Sequence, residues 1–336
     1  MLKVEGNEKM IKIVLDAMGS DDRPKPEVEA SVMATKELGV ELLLVGPEKE
    51  LHERLQGLHG DLTNVEVINA PESLDMSDHI QEARVKKDNS MRIGMELVQT
   101  GQADAFVTAG NTGMAMYYAT KTFGLIKGLI RPCLCAIFPV KDGRCVVLDI
   151  GANAECRPEF LQQFALLGSI YSGKMLGINN PRIGLLSNGE EEGKGNNLIR
   201  ETYPIFKETI PNFIGNVEGK ELFSGKVDVV VTDGFTGNVL MKSSEAISHL
   251  IMDVLKQSLM SSFRTKLGAL LAKPAFNSVK KMLDPSEIGA APLLGIDGLV
   301  FVGHGRSDTK AVVSSIRIAK QAVEADLLGH LRKSIA

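Results

Sequence analysis

Four stretches of the chain run apolar and then turn polar and glycine-rich: Ala103 to Gly113, Val146 to Asn153, Ile183 to Asn196 and Asp228 to Asn238. Each reads as a buried strand feeding a tight loop and then a helix. The first turn of a helix carries N–H groups without partners, and its dipole favours negative charge, so such a loop is a ready anion site. The loops supply Asn111, Asn153, Asn196 and Asn238 as neutral donors and Lys194 as a cation. Asp149 and Asp233 are their carboxylates, and loops elsewhere add Asp16, His304 and Arg306. A phosphate group needs cations and N–H donors, while a tetrahedral acyl intermediate needs neutral donors aimed at its oxyanion. The inventory suits both. One Gly-Asn pair is ordinary turn punctuation, but four such loops together point to the ligand crevice of an open α/β sheet. No metal site is expected, because Glu190, Glu191 and Glu192 are consecutive and cannot all face one ion. No cofactor is expected either, since no GxGxxG follows the first strand.

The elements that must position these groups follow from the pattern. Ile11 to Leu15 is a strand ending in Asp16-Ala-Met-Gly19-Ser-Asp-Asp22, and Pro24 and Pro26 open a helix to about Leu38. A strand at Glu41 to Val45, a helix at Glu48 to Gln56 and a strand at Val65 to Ile68 continue a β-α-β alternation, which implies a parallel sheet with right-handed crossovers. Met76 to Met91 is polar and carries Arg84, Lys86 and Lys87. Asp88-Asn-Ser90 then caps a helix from Met91 to Thr100, either as a plain cap beside a solvated basic stretch or as an anion site. Met114 to Phe123 is a helix stopped by Gly124. Leu134 to Val140 and Cys145 to Ile150 form a hairpin through Lys141-Asp-Gly-Arg. A helix at Phe160 to Met175 marks the expected lobe boundary. Leu299 to Val302 is a strand ending in Gly303-His-Gly-Arg-Ser307, and a helix from Asp308 to Leu328 closes the fold. The fold class is α/β, an open, mostly parallel sheet with helices on both faces. Residues 1–9 read as a loose extension, and residues 10–336 as one domain with two lobes around a central crevice and a helical excursion over about 240–285.

At 336 residues the chain exceeds the ~250–300 at which single cores stop growing, which agrees with two lobes. A net charge of −4 argues against a nucleic-acid partner. Without an eighteen-residue apolar run or a signal-peptide layout, the protein is expected in the cytoplasm. Cys133, Cys135, Cys145 and Cys156 lack zinc spacing and read as reduced structural thiols. An acyl-cysteine step at Cys156 is the minor reading, because no histidine is paired with it in sequence. From Ser243 to Leu271 apolar residues recur every three or four positions, predicting a long amphipathic helix broken at Gly268. Val254 to Leu283 holds no acid but has Lys256, Arg264, Lys266, Lys273, Lys280 and Lys281. This is a surface for anionic membrane or an acidic partner, or else a core-packed helix with a solvated face.

From about Ile11 to Ala325 the chain resembles the bacterial phosphate acyltransferases of phospholipid synthesis. The resemblance rests on Asp16-Ala-Met-Gly-Ser-Asp21, Arg84 to Met91, Ala109-Gly-Asn-Thr-Gly113, Asp149-Ile-Gly-Ala-Asn153, Gly189 to Asn196, Asp233-Gly-Phe-Thr-Gly-Asn238, Ala291 to Gly295 and Gly303-His-Gly-Arg-Ser307. Two departures stand out: Ser20 replaces the family's usual second glycine, and Gly193 precedes the lysine where a bulkier residue is common. The resemblance implies transfer of a fatty acyl group from the phosphopantetheine thioester of acyl carrier protein to inorganic phosphate. It also implies a homodimer, a fold like phosphotransacetylase and the isocitrate and isopropylmalate dehydrogenases, and a cytoplasmic enzyme peripherally associated with the membrane. The product would pass to a membrane glycerol-3-phosphate acyltransferase. On this reading Lys194, Asn196, Gly234, Gly237 and Asn238 bind phosphate, and Asn111, Thr112 and Asn153 donate to the thioester oxygen. Asp233 or His304 handles the thiol proton, and Asp16, Gly19, Lys86, Lys87 and Ser90 complete the substrate contacts. Arg264, Lys266, Lys273, Lys280 and Lys281 meet membrane or carrier protein. Three rivals stay open: a phosphotransacetylase-type enzyme using coenzyme A thioesters, a nicotinamide-dependent dehydrogenase, and a non-enzymatic membrane scaffold.

Overall fold

The computed structural model describes residues 10–335 except 59 and 79, so the expected extension over residues 1–9 lies outside the described residues. Its strands are β1 (Lys12–Asp16), β2 (Glu41–Gly46), β3 (Val65–Asn69), β4 (Ala105–Thr108), β5 (Cys133–Val140), β6 (Gly143–Leu148), β7 (Ile183–Leu186), β8 (Phe213–Val217), β9 (Val229–Val231), β10 (Ala290–Leu294) and β11 (Val300–Gly303). The helices are α1 (Lys25–Leu38), α2 (Glu48–Gln56), α3 (Ile80–Val85), α4 (Ser90–Gln99), α5 (Thr112–Phe123), α6 (Pro158–Leu176), α7 (Asn197–Thr209), α8 (Gly219–Phe223), α9 (Gly234–Met260), α10 (Phe263–Leu271), α11 (Lys273–Leu283), α12 (Thr309–Glu324) and α13 (Leu327–Ile335). Two compact units result. One takes the described residues up to Gly124 with Ile296–Leu328, and the other takes Leu125–Gly295 with the described residues from Gly329.

In the first unit the strands run β3-β2-β1-β4-β11, all parallel, as the β-α-β alternation predicts. Ile13, Val14, Leu15, Phe106 and Phe301 are buried. Strands covered on both faces read as such continuous apolar runs. Helices α1 and α12 pack together over the sheet, and α4 packs with α5 and against β1. Helix α1 ends where Gly39, at φ 63, takes the left-handed turn and returns its N–H to the Thr35 carbonyl.

In the second unit the order is β10-β5-β6-β9-β7-β8. The β5–β6 hairpin is antiparallel as expected, β10 runs antiparallel to β5, and β6, β9, β7 and β8 are parallel. Helix α6 lies against β6 and β9 through Gly168. A Cβ there would sit 2.7 Å from Val229 Cγ1 and 2.8 Å from Leu148 Cδ2, so any side chain would push the helix off the sheet.

Several sequence expectations change. The units exchange at Gly124/Leu125, Gly295/Ile296 and Leu328/Gly329 and not inside α6; a unit border follows contact density, and no linker composition marks it. The amphipathic helix starts at Gly234 and breaks at Ser261–Ser262, because Ser262 caps α10 in a capping box with Thr265, while Gly268 lies within α10. The core-packed alternative fails. Helices α10 and α11 bury no residue, and α9 buries only Gly234 and Gly237. The closing helix is two helices, divided where Asp326 adopts φ 46. No helix among the described residues is long and apolar enough to cross a membrane.

Candidate active site

In the first unit β4 lies between β1 and β11, so the loops after these three parallel strands emerge side by side. Asp16 ends β1 and is buried. Its Oδ1 accepts the Met18 N–H at 3.0 Å, and its Oδ2 accepts the Thr108 hydroxyl at 2.6 Å. The Ser90 hydroxyl bonds it as well. Burial pushes its pKa up, and these bonds oppose the push. Thr108 Oγ1 in turn accepts the Gly110 N–H at 2.9 Å. The expected substrate contacts Asp16 and Ser90 therefore form an internal brace that ties three loops together. Gly19 fills the space between the loops, since a Cβ would lie 2.8 Å from both the Ala109 and Gly110 nitrogens.

Asn111 caps α5, its Oδ1 accepting the Met114 N–H at 3.1 Å while its Nδ2 donates to the Met76 carbonyl at 2.8 Å. Its side chain is thus engaged at both ends, and Thr112, at the start of the α5 backbone, is half-buried. Lys86 is also engaged, with its Nζ on Asp78 Oδ2 at 2.7 Å and on the Ser73 carbonyl at 2.9 Å. This contact holds the Asp78 carboxyl below its ordinary range. Lys87 is exposed. Asn89, one residue before the expected Ser90, is the cap of α4, with Oδ1 accepting the Arg92 N–H at 3.0 Å. His304 lies exposed in the loop after β11. That loop is held to the β1 loop by Asp21 N–H donating to the Gly305 carbonyl at 2.7 Å.

In the second unit three of the four asparagine-glycine loops follow the adjacent parallel strands β6, β9 and β7. Asp149 organises the first. Buried, it accepts the N–H groups of Leu134 (3.0 Å), Gly151 (3.2 Å), Ala152 (3.0 Å) and Asn153 (2.7 Å) and the Asn153 amide (2.9 Å). Asn153 Nδ2 also donates to the Pro132 carbonyl at 2.7 Å. Both amide hydrogens are thus committed inward, which corrects its expected role as an oxyanion donor. Gly234 and Gly237, expected to touch phosphate, instead let α9 pack onto this loop. A Cβ on Gly237 would lie 1.9 Å from the Asp149 carbonyl oxygen, and one on Gly234 would lie 2.6 Å from that of Asn153. Asp233 caps α9, accepting the Thr236 N–H and hydroxyl, both at 2.8 Å. Its carboxylate thus occupies the place an anion would take at that helix start. Asn238 is exposed.

The loop after β7 is different. Glu190 pairs with Lys220 at 3.0 Å and Glu192 with Lys207 at 3.2 Å. Lys194 is exposed and makes no ion pair with a described residue. Asn196 caps α7 through Oδ1 to the Ile199 N–H at 3.0 Å. Gly195, at φ 98, donates its N–H to Asn188 Oδ1 at 2.9 Å. Asn196 is thus a neutral cap at a helix start, two residues after an exposed lysine that makes no ion pair with a described residue. Glu190, Glu218 and Glu221 do converge, but on the Lys220 ammonium, at 3.0, 3.1 and 3.7 Å. Cys156 Sγ lies 3.6 Å from the Asn153 carbonyl, and burial pushes its pKa up to about 12, which disfavours the thiolate that an acyl-cysteine step needs. Thr108 escaped the sequence reading because a threonine ending a β-branched run looks like strand propensity.

Residues 11–329 match the family described as "Fatty acid synthesis protein". A phosphate acyltransferase of Elusimicrobium minutum is 46% identical over 328 residues, covering 97% of this chain and 96% of its own. The chain belongs to the phosphate acyltransferase family. Membership makes it a transferase, and a phosphate acyltransferase of Thermus thermophilus, 44% identical over 97% of this chain and 99% of its own, supports the same placement. The fold extends further. A phosphotransacetylase from Streptococcus pyogenes matches with a TM-score of 0.63 over 95% of both chains at 16% identity. A branched-chain phosphotransacylase from Enterococcus faecalis matches at 0.59 over 94% of this chain and 99% of its own, at 15% identity. The phosphate acyltransferase family thus shares the α/β fold that the sequence pattern implied.

Proposed function

We propose that this chain transfers a fatty acyl group from the phosphopantetheine thioester of acyl carrier protein to inorganic phosphate, giving acyl-phosphate for phospholipid synthesis. The observation that carries the reading is the start of α7, where Lys194 has no carboxylate partner among the described residues and the cap, Asn196, is neutral. Of the helix starts described above, α9 is already capped by a carboxylate. Lys194 and the first N–H groups of α7 bind phosphate. The phosphate's second ionisation lies near neutrality, so the attacking oxygen needs no strong base. Attack on the thioester needs donors to the oxygen on which negative charge develops, and the N–H groups at the start of α5, from Thr112, are donors of that kind. His304 or Asp233 returns the proton to the leaving thiol.

The exposed faces of α9 to α11 suit the partners this reading requires. Phe263 is 82% and Leu271 78% exposed, and Arg264, Lys266, Lys273, Lys280 and Lys281 are exposed beside them. Apolar and basic groups together fit an anionic membrane surface, an acidic carrier protein and the second copy of a homodimer. The enzyme would then work at the cytoplasmic face of the membrane and hand acyl-phosphate to a membrane glycerol-3-phosphate acyltransferase.

The deciding experiment supplies radiolabelled phosphate with either palmitoyl-acyl carrier protein or palmitoyl-coenzyme A. Label in acyl-phosphate with the carrier-protein donor is the expected result. Label with the coenzyme A donor alone would replace the donor assignment, and label with neither would remove the reading.

A further inference from the structure

Two segments of the second unit enclose a cleft that the mechanism above does not use. Its volume is about 800 Å³, within the range of small-molecule sites. Arg131 lines it from the segment entering β5, and Arg157 from the segment that leaves the β6 loop for α6. The walls are pinned by hydrogen bonds. Gln163 of α6 accepts the Ile130 N–H at 2.9 Å and donates to the Gly128 carbonyl at 2.9 Å. Asn153 donates to the Pro132 carbonyl at 2.7 Å, and its own carbonyl accepts the Gly234 N–H at 2.8 Å and lies 3.6 Å from Cys156 Sγ. Because Cys156 also lines the cleft, the cleft adjoins the strand-end loops of its own unit. Its charges, by contrast, are not engaged. Neither guanidinium makes an ion pair or hydrogen bond with a described residue, and Arg131 instead rests over the Phe160 ring, 5.9 Å from its centroid. Glu155 and Glu159, on the same walls, are exposed and equally unpaired.

These groups select among ligands. A guanidinium fork matches the oxygens of a phosphate ester. Carboxylates accept only from N–H or O–H groups, and Ile130 and Phe160 offer apolar area. Inorganic phosphate would use the cations but would face both carboxylates and leave the apolar wall uncovered. A phosphodiester on a chain of amides, a hydroxyl and methyl groups uses all three kinds of wall. We propose that the cleft takes the phosphopantetheine arm of the acyl donor. Arg131 and Arg157 hold its phosphodiester, Glu155 and Glu159 accept from its hydroxyl and amide groups, and its thioester end points towards the Asn153 loop. The assignment rests on the acyl-transfer reading above and adds to it where the donor is held. Both arginines are exposed, so a diester tethered to a carrier protein can reach them. The same arm occurs in coenzyme A, and the site recognises what the two donors share.

The test titrates phosphopantetheine, pantetheine and coenzyme A into the wild type, Arg131→Gln and Arg157→Gln by calorimetry. Both side chains are exposed and unpaired, so the variants should unfold like the wild type. Phosphopantetheine should bind the wild type roughly tenfold or more tightly than pantetheine. Each variant should lose roughly that factor for phosphopantetheine and coenzyme A, and nothing for pantetheine. No binding of phosphopantetheine, binding no tighter than that of pantetheine, or wild-type affinity in both variants overturns the proposal. Weakening confined to coenzyme A also overturns it, because the arginines would then face the nucleotide. Kinetics with palmitoyl-acyl carrier protein and with palmitoyl-coenzyme A separate the two sources of the arm. The variants should raise the Michaelis constant for whichever donor the enzyme uses and leave that for phosphate unchanged; the converse would make the cleft a phosphate site and refute the assignment. Arginine-dependent binding of phosphopantetheine by an enzyme that forms no acyl-phosphate would keep the cleft and remove the acyl-transfer reading. Acyl-phosphate formed with wild-type kinetics by both variants would do the reverse.

Discussion

Asn153 turns both hydrogens of its side-chain amide inward, one to the Pro132 carbonyl at 2.7 Å and one to Asp149 Oδ2 at 2.9 Å. An asparagine in a glycine loop at a strand end looks like a catalytic donor, yet here it holds the shape of the loop that carries it. Asn153→Ala should therefore destabilise the protein by about 1–3 kcal/mol by leaving buried acceptors short of a donor. Denaturant unfolding checks this. A variant with wild-type stability and a turnover lowered by a hundredfold or more would restore the oxyanion role.

Lys194 makes the opposite prediction. Its ammonium is exposed and unpaired among the described residues, so Lys194→Ala should leave stability within about 0.5 kcal/mol of wild type. Losing a charged hydrogen bond of about 1.5–3 kcal/mol should weaken phosphate binding roughly tenfold or more. Steady-state kinetics against phosphate concentration measures it. An unchanged Michaelis constant would show that phosphate binds elsewhere.

Gly237 and Gly193 form a matched pair. A Cβ on Gly237 would sit 1.9 Å from the Asp149 carbonyl oxygen, whereas one on Gly193 meets nothing within 4 Å. Gly237→Ala should cost about 3 kcal/mol or prevent folding, because the clash is with backbone. Gly193→Ala should be neutral within about 0.5 kcal/mol. Thermal unfolding of the two variants decides the comparison.

Stability should depend on pH through Glu27. Its folded pKa is raised from 4.5 to about 7, so the folded state binds the extra proton. The contribution is therefore complete below about pH 4.5, declines as pH rises towards 7 and is gone above it. The full span is on the order of 3 kcal/mol. Denaturant unfolding at pH 5 and pH 8 should show this decline in the wild type and a smaller one in Glu27→Gln. Equal declines would place the titration elsewhere.

Reversing Lys266, Lys273 and Lys280 to glutamate should weaken sedimentation with anionic vesicles and binding of acidic carrier protein, while unfolding is unaffected because α10 and α11 bury no residue. Co-sedimentation and calorimetric titration are the measurements. Unchanged binding in both would leave these charges as a solvated surface.

Much of the fold follows from the sequence alone, because its signals are local. The apolar runs at β1, β2 and β9, the helix at Glu48 to Gln56 and the turn between β5 and β6 lie close to where pattern and turn chemistry put them. Strand β8 is harder to read, since Phe213 to Val217 holds Gly215 at φ 102 and pairs irregularly with β7. Residue types also identified the loops where polar groups gather, because glycine, asparagine and aspartate at a strand end have few structural alternatives. Which of those groups point inward was decided by tertiary structure. Asp16, Asn111, Asn153 and Asp233 each meet partners supplied by their own loop or a neighbouring one. A hydrogen-bond donor cannot serve two acceptors on one hydrogen, so packing left Lys194 available and took Asn153 away. Likewise the burial that lifts Glu27 arises from contacts between segments. No spacing within the chain encodes that burial.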